Sequence, residues 1–204
     1  MQTTSLSSLV RTAAAALLLA GFAARAVAAE GVETWTPDLV HSRAEFLVSH
    51  LIVSKVWGHV PIRELTLQTA PNGIPTTIDA QLVPGKLDTD NHERDADLRS
   101  PNYFDIDQYP AIAFVSTAIH PIGADRFACD GDLTIRGVTK RVTLAGHVEG
   151  RVPDPAGERI GYTATVTIDR RDFGITDARL SPVGIPLVGN DVAITLTVEA
   201  TRPK

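Results

Sequence analysis

Six histidines, one cysteine and several Asp–Arg clusters are the side chains with which this 204-residue chain could do chemistry. His41, His50 and His59 recur every nine residues, so a strand-borne metal site is conceivable. No two histidines have the i, i+4 spacing of a helical metal motif, and no cysteine or glutamate cluster joins the three. His41 and Ser42, with Asp38 just before them, supply the residue types of a nucleophilic triad. Neighbours on a strand point to opposite faces, which holds the hydroxyl away from the imidazole. No Gly-x-Ser-x-Gly elbow and no glycine-rich phosphate loop opening a helix is found. Cys129 lies in Arg126-Phe127-Ala128-Cys129-Asp130, with no nearby His or Lys to favour a thiolate, and reads as a small buried hydrophobe. A single cysteine also leaves the chain without an internal disulfide. These residues predict no catalytic group, no metal and no cofactor.

The charged clusters have local structural readings. Asn91 to Arg99 is predicted to be a short surface helix, with Asp90 as its cap, Glu93 completing a capping box, and Pro101 ending it. Arg94 and Asp95 on this helix are rim residues that fix a crossing loop, with Arg94 held against carboxylates or able to meet an anionic head group bidentately. Asp169-Arg170-Arg171-Asp172 is a similar cluster at a strand end. Arg136-Gly137 forms a hairpin turn in which Gly137 takes a positive φ, so Arg136 is placed by turn geometry.

The elements that must carry these residues are almost all strands. Alternation runs from Ala44 to Leu51, Thr76 to Val83, Ala111 to Ile119 and Ile160 to Asp169. Trp35-Thr36 starts the domain; Lys55 to Val60 and Ile62 to Thr69 form another pair, with a turn at Pro71-Asn72-Gly73. Arg126 to Ile135 and Val138 to Glu149 flank the Arg136-Gly137 turn, Arg151 to Gly157 is a turn, and Asp191 to Thr201 closes the chain. Val142, Leu144 and Val148 share one face, as do Val192, Ile194, Leu196 and Val198, while the opposite faces are small or weakly polar. About eight strands without cysteine staples suit a closed antiparallel barrel, either filled by its own side chains or wrapped around an apolar ligand.

Residues 1–28 read as a secretory signal peptide: Arg11, a short apolar run from Thr12 to Ala24, and Ala26-Val27-Ala28 as the cleavage site. The run is too short to span a bilayer as a helix. This places residues 29–204 in one exported domain. Cleavage would remove Arg11 and Arg25 and take the net charge from −5 to −7, which disfavours nucleic acid as a partner.

Three central stretches carry a family resemblance: Asp88-Thr89-Asp90-Asn91-His92-Glu93-Arg94-Asp95-Ala96-Asp97-Leu98-Arg99-Ser100, Tyr103-Phe104-Asp105-Ile106-Asp107-Gln108-Tyr109-Pro110, and Gly131-Asp132-Leu133-Thr134-Ile135-Arg136-Gly137-Val138-Thr139-Lys140. With His41 to Phe46, Val53 to Gly58, Asp172 to Ile175 and Val188 to Val192, they resemble the YceI-like polyisoprenoid-binding proteins from about Trp35 to Ala200. The resemblance implies an all-β, lipocalin-like eight-stranded antiparallel barrel with a short connecting helix. It implies a lumen that holds a long-chain isoprenoid, quinone or fatty chain, and a periplasmic location. Phe46, Phe104, Phe114, Leu133 and Ile135 are the expected wall, chosen for size and strand position. After Gly58 the family usually has an aromatic, where this chain has His59-Val60-Pro61. Such a protein binds without making bonds. Two alternatives stay open: an accessory presenting a quinone to a membrane redox protein, and a lipid-modifying enzyme with His41 or Asp95 as acid or base. A homodimer also stays open.

Overall fold

The computed structural model describes residues 31–155 and 157–203; the expected signal peptide lies outside the described residues. Ten strands form one antiparallel sheet: β1 (Glu33–Pro37), β2 (Arg43–His50), β3 (Ser54–Val60), β4 (Ile62–Thr69), β5 (Pro75–Leu82), β6 (Ile112–Ile122), β7 (Arg126–Ile135), β8 (Val138–Asp154), β9 (Gly157–Asp169) and β10 (Val188–Pro203). The single α-helix among the described residues, α1 (His92–Arg99), lies in the crossover between β5 and β6.

The ten segments make eight staves. β1 and β2 lie end to end along one edge of β10, with Thr36 opposite Thr201 and Ala44 opposite Leu196. β3 pairs with β2 and β4 with β1, so β3 and β4 are one stave bent at Pro61. The remaining strands follow as a meander, each paired with the next, and β10 closes the ring on β1 and β2. Closure leaves no sheet edge around the ring, apart from β3, which splays from β5 where β5 ends at Leu82.

Alternation along the strands decides what faces inward. In β7, Phe127, Cys129, Gly131, Leu133 and Ile135 are all buried while the residues between them are not. The β7–β8 hairpin turns on two residues, Arg136 (φ 50°) and Gly137 (φ 70°), the double positive-φ arrangement whose twist suits a tight hairpin. Gly131 is required by contact: a Cβ there would lie 2.3 Å from the Phe114 ring.

Three local expectations need correction. The helix cap is Asn91, whose side chain accepts from the Arg94 amide at 3.0 Å, and Asp90 instead adopts φ 59°. The capping box with Glu93 therefore does not form. Arg151 to Asp154 continue β8, paired with Gly157 to Ile160, so the turn is shorter than the Pro/Gly content suggested. β10 starts at Val188 rather than Asp191, with a register shift against β2 between Val188 and Val192.

The meander puts the β2–β3 turn, the crossover with α1, the Arg136-Gly137 turn and the 170–187 segment at one end of the barrel. The other end is a packed floor. Trp35 is buried there and donates from Nε1 to the Thr69 hydroxyl at 3.0 Å. The guanidiniums of Arg151 and Arg202 each lie 5.2 Å from its ring centroid. Both arginines bond to Glu33 and to Glu158, at 2.5–2.9 Å. Phe127 and Tyr162 meet edge to face above this layer, and the Tyr162 hydroxyl donates to the Gly73 carbonyl at 2.7 Å.

Candidate functional site: an apolar lumen

Above the floor the inward side chains do not fill the barrel. The space free of protein atoms, mouth included, is about 1300 Å³, of which about 170 Å³ can hold the centre of a water molecule. The wall takes side chains from all eight staves except the β1 half of the first, and they are overwhelmingly aliphatic or aromatic. Phe46, Phe104, Phe114, Leu133 and Ile135 are all placed on this wall. So are the apolar faces of β8 and β10, through Val142, Leu144, Val192, Ile194, Leu196 and Val198. Val60, in the His59-Val60-Pro61 stretch, is also part of it.

The crossover closes the upper side of the lumen, and buried polar bonds hold it. Thr89 and Asp95 are both buried. The Thr89 amide and hydroxyl donate to Asp95 Oδ1 at 3.0 and 2.6 Å. Arg94 donates from Nε to the Thr89 hydroxyl at 2.8 Å and from Nη2 to the Thr89 carbonyl at 2.6 Å. Arg94 thus bonds to the crossing loop through Thr89 rather than lying against a carboxylate. Gly58 lets this loop approach β3: a Cβ there would meet Thr89 Cγ2 at 2.6 Å and the Asp88 carbonyl at 2.8 Å. His59 and Asp88 exchange backbone bonds at 2.9 and 3.1 Å beside it.

A second set of bonds ties the crossover to the 170–187 segment. The Tyr103 hydroxyl donates to Asp177, and Arg179 bonds to Asp177, to Asp97 at 2.8 Å and to the Tyr103 oxygen at 3.1 Å. Burial raises the Asp177 carboxyl, but the hydrogen bonds from Arg179 and Tyr103 outweigh it and hold the group at about 2. The Tyr103 hydroxyl is pushed up, first by burial and then by its bond to Asp177. Arg136 reaches the same segment, donating to the Gly174 carbonyl at 3.3 Å.

Arg170 is a charged wall residue that the sequence did not single out. It is buried, reaches the upper lumen, and donates to the carbonyls of Gly189, Ile175, Asp177 and Val188 at 2.7–3.3 Å. Its neighbour Arg171 stays at the surface, paired with Asp169. The Asp-Arg-Arg-Asp string hides this division, because nothing in it says which arginine turns inward.

The other candidate chemistry does not assemble. His41, His50 and His59 do not gather. Asp38, His41 and Glu199 instead present ligand atoms within 4.8 Å of one another, on the outside of the barrel. The Arg159 guanidinium already bonds to Asp38 and Glu199, supplying the positive charge that a cation would bring. A hydrogen bond with Asp38 at 2.9 Å raises the His41 imidazole, and the same bond lowers Asp38. Ser42 donates to the Asp38 carbonyl at 2.7 Å and accepts from the Glu199 amide at 3.0 Å, so its hydroxyl is turned to backbone and not to His41. Cys129 is fully buried, and burial pushes its thiol up to about 12.

A closed antiparallel eight-stave barrel with an apolar lumen is a lipocalin-like architecture. The family model for the YceI-like domain matches residues 35–200, and the chain belongs to that family. A UPF0312 protein of Staphylococcus aureus is 30% identical over 168 residues, covering 81% of this chain and 95% of the relative. Among solved structures, the Campylobacter jejuni YCEI protein superposes with a TM-score of 0.67 at 24% identity, over 76% of this chain and 90% of that one. A polyisoprenoid binding domain from Saccharophagus degradans, implicated in plant cell wall breakdown, has a TM-score of 0.63 at 13% identity, over 83% and 98% of the two chains.

Proposed function

We propose that this protein binds one long apolar chain of the isoprenoid, quinone or fatty type inside the lumen, and that it serves as an exported, periplasmic carrier once residues 1–28 are removed. The observation that carries the reading is the apolar lumen that the inward side chains of the staves line but do not fill. Family membership and the polyisoprenoid-binding domain among the structural neighbours support the cargo class.

Binding is driven by taking methylenes out of water, about 0.8 kcal/mol each. A chain of about forty carbons would sum to about 30 kcal/mol, beyond any known affinity, so ordering the chain and leaving its membrane environment must offset most of that. The result is a carrier that exchanges with a bilayer. The reading needs no bond making: Asp95 is engaged by Thr89, and His41 lies outside the barrel with its side chain 61% exposed.

Native mass spectrometry of the protein purified from its own cells, followed by organic extraction, tests the proposal. One chain per barrel, of prenyl, quinone or acyl type, is the expected mass. A cargo-free mass that persists after incubation with prenyl lipids would overturn it.

A further inference from the structure

The lumen end of the barrel carries an exposed apolar tip that no element among the described residues covers. The β2–β3 turn presents Ile52 and Val53, 74% and 82% exposed, at its apex. Trp57, 53% exposed, lies on the outer face of β3, four residues from Val53. Beside the turn, the 180–186 segment forms a small hairpin with Leu180 opposite Pro186, and it exposes Leu180 (58%) and Val183 (80%). The two pieces are joined: the Leu51 amide donates to the Leu187 carbonyl at 3.1 Å, and His50 pairs with Val188. Elsewhere, Val152 and Ile122 are exposed singly at the opposite end, Val115 on the outer face of β6, and Leu39 and Val40 in the β1–β2 connection.

The tip differs from the rest of the molecule in three ways. First, its turn is occupied by the wrong residues for its geometry. Leu51 and Ile52 both have positive φ, 50° and 57°, where a turn of this kind favours Asn and Gly, and a β-branched residue there is an outlier. Strained bulky residues kept in an exposed turn point to a use for their side chains. Second, the chain has 24 Asp and Glu residues, yet 46–61 and 178–190 contain none, while they carry Lys55 and an Arg179 that is paired with Asp177 and Asp97. An acid-free apolar tip on an acidic protein suits a surface that repels carboxylates and accepts hydrocarbon. Third, the tip is continuous with the cavity: Val48 and Val188, at the base of the two hairpins, line the lumen.

We propose that this end docks on a lipid bilayer, with Ile52, Val53, Leu180 and Val183 entering the hydrocarbon boundary and Trp57 lying at the interface. A half-exposed indole beside an apolar tip is the arrangement favoured at membrane–water boundaries. Docking there brings the lumen to the medium from which a membrane-dissolved chain must come, sparing its methylenes a passage through water. The inference rests on the carrier reading, and its test separates the two.

The protein purified from its own cells, and its I52E/V53E variant, are floated with cargo-free vesicles of phosphatidylethanolamine and phosphatidylglycerol. Trp57 supplies a reporter, since Trp35, the other tryptophan, is buried in the floor. The parent should float with the vesicles and shift its tryptophan emission to the blue. I52E/V53E should partition at least about tenfold less, since two buried aliphatic side chains become charged. Transfer of a prenyl chain between vesicles should slow by a similar factor, with the affinity for a short prenyl chain titrated in vesicle-free solution unchanged. V183E, in the second hairpin, should weaken flotation in the same direction. No flotation of the parent, or equal flotation of the variants, would overturn the docking proposal whatever the solution affinity. Self-association that the tip variants abolish, with no vesicle binding, would overturn it too, by making a second copy the occupant. Loss of solution affinity in the parent itself would sink the carrier reading instead.

Discussion

Filling the lumen from its wall gives the sharpest test of where the apolar chain lies. Ala80 faces the cavity, between Leu65 and Phe114 in the pairing of β5 with its neighbours. Ala80→Leu adds three carbons in space not occupied by protein. If a bound chain lies there, about three of its methylenes must leave. At about 0.8 kcal/mol each, that is about 2.4 kcal/mol, or an affinity about 50-fold weaker. The fold should be nearly indifferent, because the burial of new carbons and the cost of crowding are each about 1–3 kcal/mol and opposite in sign. The assay is titration with a fluorescent polyene chain in parallel with thermal melting. Val115→Leu, on the outer face of adjacent β6 and half exposed, is the control and should leave affinity unchanged. Unaltered affinity in Ala80→Leu with an unaltered melting temperature would mean that the chain binds somewhere other than the lumen.

Thr89→Val should cost about 1–3 kcal/mol in urea denaturation, because the buried Asp95 carboxylate loses its hydroxyl donor and Arg94 Nε its acceptor; a loss below about 0.5 kcal/mol would contradict a role for these bonds in holding the crossover. Acid should loosen both ends of the barrel. The Asp177 carboxyl, raised by burial but lowered further by Arg179 and Tyr103, sits at about 2 against an ordinary 3.8, and hydrogen bonds from Arg151 and then Arg202 hold Glu158 at about 2 against 4.5. Folded values below unfolded ones give stabilisation that is complete above the ordinary values and lost as pH falls toward 2. Melting temperature should therefore drop between about pH 4.5 and pH 2, and Asp177→Asn should flatten the lower part of that slope; an unchanged slope counts against a stabilising role for the Asp177–Arg179–Tyr103 bonds. Cys129, with its thiol at about 12, should react with a thiol reagent at pH 8 far more slowly than in the unfolded chain. A native rate equal to that of a free thiol would contradict its burial.

The barrel was legible because its evidence is local and repeated. Inward and outward residues alternate along Val192 to Val198, and Arg136-Gly137 marks a hairpin without any tertiary information. The same pattern puts Phe46, Phe114, Leu133 and Ile135 on apolar strand faces, where a bulky side chain has the interior to occupy, whereas Phe104 reaches the lumen from the crossover and not from a strand. What escaped depends on partners far apart in the chain. Arg170 turns inward because the carbonyls of Ile175, Asp177, Val188 and Gly189 converge on it, and neither period nor composition encodes that meeting. Asp90 and Asn91 are equally good caps by residue type, and the choice fell to Asn91 because Asp90 is bent to a positive φ beside the buried Thr89. Arg151 to Asp154 read as turn because of Pro153, yet pairing with Glu158 and the Trp35 floor extends the strand.

That floor has a consequence for traffic through the protein. Trp35, with Arg151 and Arg202 stacked on it and both glutamates bonded to them, makes the barrel a blind well rather than a tube. A tail that slides in must back out the way it came, and whichever end goes in first comes out last. Depth then acts as a ruler. Chains shorter than the well leave empty wall, and longer ones leave their excess outside, so the fixed floor rather than any side chain contacting a head group would set which lengths bind best.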